Sequence, residues 1–188
     1  MAFKFEETKL KGVYIITPQV FGDNRGYFME TYKKEQFYNA GISKEFVQDN
    51  ESSSTKGVLR GLHFQKEHTQ GKLVRVTHGA VFDVAVDVRP GSETYGQWVG
   101  VVLSSEKKNM FYIPEGFAHG FLVLSDKAEF VYKCTDVYDP SSEGGIPWDD
   151  PDISVEWPKL DIEYKTSEKD GKHPRFSEQS FEWADKWR

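Results

Sequence analysis

Ala80-Val81-Phe82-Asp83-Val84-Ala85-Val86-Asp87-Val88-Arg89 is the stretch whose pattern decides the fold. Phe82, Val84, Val86 and Val88 fall on one face, and Asp83, Ala85 and Asp87 on the other. Side chains that change face at every residue are the signature of a strand, here one expected to be half-buried. Outward from it, residues 71–78 (GKLVRVTH), 97–104 (QWVGVVLS), 109–113 (NMFYI), 120–124 (GFLVL) and 128–135 (AEFVYKCT) are β-rich in the same way. His78-Gly79, Arg89-Pro90-Gly91, Pro114-Glu115-Gly116 and Ser125-Asp126 separate them as turn signals. Many short strands at regular spacing predict an all-β sandwich or barrel. Only residues 32–40 have a helical pattern, with Gly41 as the stop. Residues 139–145 (DPSSEGG) are expected to form a loop, and the charged tail after Pro158 to wrap the outside. No repeat, low-complexity tract or linker interrupts residues 1–188, which are therefore expected to form one domain.

Composition narrows the class. A chain of 188 residues is long enough to bury about 70% of its unfolded surface, so it needs no disulfide or metal staple. Twenty-four Lys and Arg stand against 30 Asp and Glu, for a net charge of −6, which argues against a general nucleic-acid binder. The single cysteine, Cys134, allows no internal disulfide and fits a reducing compartment. The first residues, MAFKFEETKL, have no apolar run suited to a signal peptide, and no stretch approaches the roughly 20 apolar residues of a membrane span. A soluble, cytoplasmic protein is expected.

Five clusters carry side chains suited to chemistry. In Val58-Leu59-Arg60-Gly61-Leu62-His63-Phe64 a guanidinium and an imidazole lie three residues apart. Strict alternation would put Arg60 and His63 on opposite faces, whereas a bulge at Gly61 would bring them together. Taken alone, His63 reads first as a strand-end histidine bonded to backbone. Lys72, in Gln70-Gly71-Lys72, suits an anion or enolate if it faces a pocket, and water if it does not. Pro114-Glu115-Gly116-Phe117-Ala118-His119 has the P-x-G-x-x-H spacing and resembles the second motif of the cupin superfamily, a jelly-roll fold. His119 would then point into the mouth of the barrel. Tyr132 shares a strand face with Phe130 and Cys134; it is either a proton donor to a pocket or a packing residue with its hydroxyl bonded. Nothing nearby in sequence activates Cys134 as a nucleophile. Ser167-Glu168-Lys169-Asp170 is a charge run, solvated unless the fold carries Asp170 to a histidine. The early histidine stands as His63-Phe64-Gln65, without the H-x-H pair of metal-binding cupins. His68 and His78 do not restore that pair, so no metal is expected.

Taken together the chain resembles the dTDP-4-dehydrorhamnose 3,5-epimerase family. The markers are residues 21–30 (FGDNRGYFME), 46–50 (FVQDN), 59–64 (LRGLHF), 70–75 (QGKLVR), 114–121 (PEGFAHGF), Tyr132-Lys133 and residues 145–150 (GIPWDD). The resemblance implies a cupin-like jelly roll with few short helices, acting as a cofactor-free homodimer. Its substrate would be a dTDP-linked 4-keto-6-deoxy sugar, converted from the D-gluco form to dTDP-4-keto-L-rhamnose. It implies His63 as general base oriented by Asp170, Lys72 at the enolate and Tyr132 as the acid on the other face of the ring. Arg60, His119 and Lys169 are implied as sugar and diphosphate contacts. Arg25, Phe28, Glu30, Gln48 and Asn50 are implied as nucleotide contacts, with Tyr138 and Glu143 lining the pocket. The chemistry suits these types. A C4 ketone acidifies C3–H and C5–H, and one base with one acid on opposite faces inverts each centre. Three other readings compete. A single-centre epimerase or ketoisomerase shares the demands on His63 and Tyr132. A non-catalytic sugar-binding module leaves His63, Lys72 and Tyr132 without a purpose. A metal cupin oxygenase lacks its H-x-H pair.

Overall fold

The structure is a computed structural model, and it describes residues 2–187. Two antiparallel sheets face one another. The first runs β1 (Phe3–Glu7), β2 (Tyr14–Pro18), β10 (Met110–Ile113), β7 (Lys72–His78), β12 (Lys127–Cys134), β5 (Gln48–Thr55) in spatial order. The second runs β13 (Glu143–Gly145), β6 (Leu59–Gln65), β11 (Phe117–Val123), β8 (Ala80–Asp87), β9 (Trp98–Ser104). A separate hairpin of β3 (Val20–Asp23) and β4 (Gly26–Met29) pairs with neither sheet. This is the expected all-β sandwich. Its one α-helix among the described residues, α1 (Lys34–Asn39), lies inside the predicted 32–40 and ends at Gly41, whose φ of +93° is the left-handed value that favours glycine at a helix end.

Three apolar clusters hold the layers. Between the sheets pack Val74, Val76, Phe130, Val81, Ala85, Phe117, Phe121 and Val123. Phe37 of α1 fills the outer side of the first sheet with Phe3, Ile16 and Met110. On the outer side of the second sheet, Val84, Val86 and Val88 meet Ile153, Phe181 and Ala184 of the C-terminal tail. This last contact corrects the half-buried reading of residues 80–89. With the tail on one face and the opposing sheet on the other, Asp83 and Asp87 are both fully buried. Alternation of apolar and charged residues marked the strand but not the fate of its polar face.

Two further differences concern the site. Residues 143–145, read as part of a loop, form β13, because Gly145 pairs with His63 and Glu143 with Gln65. The polar run Gln48–Thr55, which carries no apolar alternation, is β5, an edge strand that finds its partner in β12, with Asn50 opposite Tyr132 and Gln48 opposite Cys134.

Candidate active site

One end of the inter-sheet space is packed with hydrocarbon, and the other is lined with polar side chains. The difference begins at Gly61. On β11 two steps separate His119 from Phe121, yet their partners on β6, His63 and Arg60, are three apart. One extra residue is therefore accommodated in β6, which turns Arg60 and His63 to the same cavity. Gly61 makes this possible. Its φ is +122°, and a Cβ there would lie 2.6 Å from Gly120 Cα and 2.7 Å from the His119 carbonyl oxygen.

His63 is met by Asp170, which comes from the tail. His63 Nε2 and Asp170 Oδ1 are 2.6 Å apart, with the histidine side chain 31% exposed and the aspartate 4%. Burial works against the Asp170 carboxylate, but the hydrogen bond and charge of His63, the Ser167 hydroxyl and His173 outweigh it and hold its pKa below the usual aspartate value. An ionised carboxylate only accepts, so in the neutral His63 ring Nε2 carries the proton and Nδ1 the lone pair. Beside this pair, His119 is hydrogen-bonded through Nε2 to both oxygens of Asp83, at 2.9 and 3.1 Å. Its ring stacks on Phe130 of the opposite sheet. Asp83 has the opposite balance, as burial outweighs His119 and Lys72 and raises its pKa.

The first sheet supplies the other wall. Lys72 and Cys134 are register partners, as are Val74 and Tyr132. Burial depresses the Lys72 pKa against upward pulls from Cys134, Asp83 and Glu143. Burial likewise raises Tyr132, with Cys134 adding to it and Arg60 opposing it, so the phenol holds its proton at neutral pH. Burial also pushes the Cys134 thiol up, which keeps it from being a nucleophile. At the rim Glu143 accepts from the Tyr138 hydroxyl at 3.0 Å and is paired with Lys169. Gln48 donates to Asn50 at 3.1 Å and accepts from the Tyr138 backbone N–H at 2.9 Å. Arg60 donates to Ser54.

The fold thus gathers His63, Asp170, Lys72, Tyr132, Arg60, His119, Glu143, Tyr138, Lys169, Gln48 and Asn50 around one end of the sandwich. Arg25 and Phe28 stand apart. They belong to the β3–β4 hairpin, where Arg25 is bonded to Asp23 and Phe28 is 66% exposed, and Glu30 follows it, half-buried. Two residues at the site escape the sequence reading. Asp83 lies on the polar face of its strand, and a carboxylate inside an apolar strand is the signal that marks it. His173, in the tail, lies 3.7 Å from Asp170 and makes a third potential metal donor with Asp170 and His63.

A sequence profile described as dTDP-4-dehydrorhamnose 3,5-epimerase matches residues 7–178. The enzyme of that name from Methanothermobacter thermautotrophicus is 60% identical over 156 residues, covering 83% of this chain and 84% of its own. The Escherichia coli K12 enzyme of the same name is 56% identical over 154 residues, covering 81% and 83%. Among solved structures, dTDP-6-deoxy-D-glucose-3,5-epimerase from Legionella pneumophila in complex with dTDP-4-keto-L-rhamnose superposes with a TM-score of 0.93 at 49% identity, over 96% of each chain. With profile, relatives and fold in agreement, the chain belongs to the dTDP-4-dehydrorhamnose 3,5-epimerase family.

Proposed function

We propose that the end of the sandwich between His63 and Tyr132 is where this isomerase epimerises C3 and C5 of a dTDP-linked 4-keto-6-deoxy sugar, turning dTDP-4-keto-6-deoxy-D-glucose into dTDP-4-keto-L-rhamnose. One observation carries the division of labour. The imidazole is on the second sheet and the phenol on the first, so a sugar ring inserted between them has a base on one face and an acid on the other. His63 Nδ1 takes the proton from C3 or C5, and Asp170 stabilises the imidazolium that results. Negative charge then gathers on the C4 oxygen, and the Lys72 ammonium meets it in a place shielded from water, where such an attraction is stronger than in bulk. Tyr132, with a raised pKa, delivers a proton to the opposite face and the centre is inverted. Arg60, His119 and Lys169 hold the sugar and diphosphate. Gln48, Asn50 and Glu30 hold the nucleotide, and Tyr138 and Glu143 close the rim. No step calls for a redox or Lewis-acid partner, so turnover is expected to survive a strong chelator.

The chain acts as a homodimer in the cytoplasm. The hairpin β3–β4 supports the dimer: Phe21, Tyr27 and Phe28 are 55%, 59% and 66% exposed, a projecting apolar arm that a second copy would cover. Arg25 and Phe28 then complete the nucleotide end of the partner's site. Light scattering is expected to give twice the 21.6 kDa chain mass, and a stable monomer at micromolar concentration would overturn the dimer.

Solvent deuterium wash-in, read by NMR at C3 and C5, tests the chemistry. His63→Asn is expected to lose exchange at both carbons by about 10⁴-fold, because no enolate forms. Tyr132→Phe is expected to keep part of the exchange while losing inversion, since the enolate still forms but is reprotonated from the wrong side. Equal loss of exchange and inversion in both variants would refute the assignment. No helix among the described residues is long and apolar enough to cross a membrane.

A further inference from the structure

We infer that His63, Asp170 and His173 form a transition-metal site, and that a Zn²⁺-like cation bound there switches the catalytic base off. The 3₁₀ turn Asp170–Lys172 builds it. Three residues per turn put positions i and i+3 on one side, so Asp170 and His173 are both aimed at β6. The His173 ring sits in a slot left by Gly145, the register partner of His63. A Cβ on Gly145 would come within 2.4 Å of His173 Nε2. The two imidazoles meet edge to face with centroids 5.8 Å apart.

His173 Nε2 is not engaged by the fold. The side chain is 9% exposed, and its buried Nε2 has no hydrogen-bond partner, since Asp170 Oδ1 at 3.7 Å is beyond reach. A nitrogen left unpaired inside a protein, facing a carboxylate and a second imidazole, is a metal donor in waiting. The three donor atoms all lie within 4.8 Å of one another. Zinc holds such donors at about 2.0 Å in a tetrahedron, which sets them about 3.3 Å apart. The 2.6 Å and 3.7 Å separations bracket that value, so small side-chain movements close the site. Two neutral imidazoles and a carboxylate suit Zn²⁺ and Co²⁺ better than Mg²⁺ or Ca²⁺, and water fills the fourth position. His63, at 31% exposure, leaves a route in from the cavity.

The effect on the base follows from imidazole chemistry. A neutral ring has one N–H and one lone pair. In the metal-free protein the proton is on Nε2 and the lone pair on Nδ1. A cation that takes Nε2 moves that proton to Nδ1, with no net proton released from a neutral ring. The nitrogen that should accept a proton from the sugar is then already protonated. The cation need not enter the sugar's space, so kcat falls while KM holds. Binding at the three donors stands without any catalytic assignment, whereas loss of turnover rests on His63 being the base.

The test uses the full chain freed of metal by dialysis against a chelator. Zn²⁺ is titrated by calorimetry, Co²⁺ by its visible absorption, and turnover is followed as Zn²⁺ is added. Expected are one cation per chain, the intense d–d bands of four-coordinate Co²⁺, a fall in kcat at constant KM, and recovery with chelator. In His173→Phe, which keeps a ring in the slot, and in His173→Gln, metal affinity is expected to fall at least about tenfold, as loss of a ligand costs no less than loss of a supporting hydrogen bond. Far-ultraviolet circular dichroism and cooperative thermal unfolding at the parent's midpoint report that both variants are folded. Absence of saturable binding, or wild-type affinity in both variants, overturns the site. Binding that is lost with His173 yet leaves wild-type turnover untouched supports the site and overturns His63 as the base.

Discussion

Two histidine–aspartate pairs stand side by side at the cavity, and they are built differently. His63 and His119 are register partners on adjacent strands. The carboxylate of His119 comes from the next strand of the same sheet, while that of His63 comes from the tail, 107 residues away. Both aspartates are buried, yet burial wins at Asp83 and loses at Asp170. Asp83 is the more deeply enclosed of the two, and it also has fewer partners. Asp83 has His119 and the charge of Lys72, whereas Asp170 has His63, the Ser167 hydroxyl and a second histidine nearby. A carboxylate held ionised is a fit partner for a base that must become cationic. Asp83, whose carboxylate retains affinity for its proton, is less suited to that task.

The comparison is most directly broken by exchanging each acid for its amide. Asp170→Asn is expected to cost about 10²-fold in kcat, the lower end of what a positioned proton-transfer group contributes, because the amide neither stabilises imidazolium nor selects the Nε2–H tautomer. Asp83→Asn is expected to cost about tenfold, the equivalent of one pKa unit at a neighbouring group. Equal losses in steady-state assays would erase the distinction between the pairs.

Acid stability sharpens it. The pKa of Asp170 is depressed in the fold, and so is that of Asp87, where hydrogen bonds from Arg89, Thr94 and Ser92 outweigh burial. A depressed carboxylate adds stability that is present above its unfolded pKa of about 3.9 and is lost as pH falls through the lower folded value. Melting temperature is therefore expected to drop steeply below about pH 4, and less steeply in Asp170→Asn. Asp83 has the opposite sign. Its raised pKa favours the fold when protonated, and that contribution is lost as pH rises, so Asp83→Asn gives up little at neutral pH. The smallest effect expected is there: within about 1 kcal/mol of the parent at pH 7 by denaturant unfolding, because the amide keeps one of the two oxygens that accept from His119 Nε2. A loss of several kcal/mol would mean that Asp83 is ionised and fully compensated.

The two pairs also differ in how far they can be read from residues alone. His63, Lys72, His119 and Tyr132 lie on strands whose alternation is visible, and their types suit base, cation and acid. Arg60 beside His63 required only that Gly61 bend the strand, and the glycine announces that. The alternating stretch of residues 80–89 announced a strand but hid the burial of its polar face, because alternation records which residues share a side and not what covers that side. The all-β class, the short helix stopped at Gly41, the family and the residue types of the site were determined by the sequence itself, through periods and motifs that act over a few residues. The union of His63 with Asp170 and His173, the depth of Asp83 and the pairing of the polar strand β5 were decided only in the tertiary structure. Each depends on segments far apart in the chain, brought together when Ile153, Phe181 and Ala184 bury against the outer face of β8 and draw the tail across the sheet. Apolar burial has no direction of its own, so the residues it carries along with it meet partners that no local pattern can name.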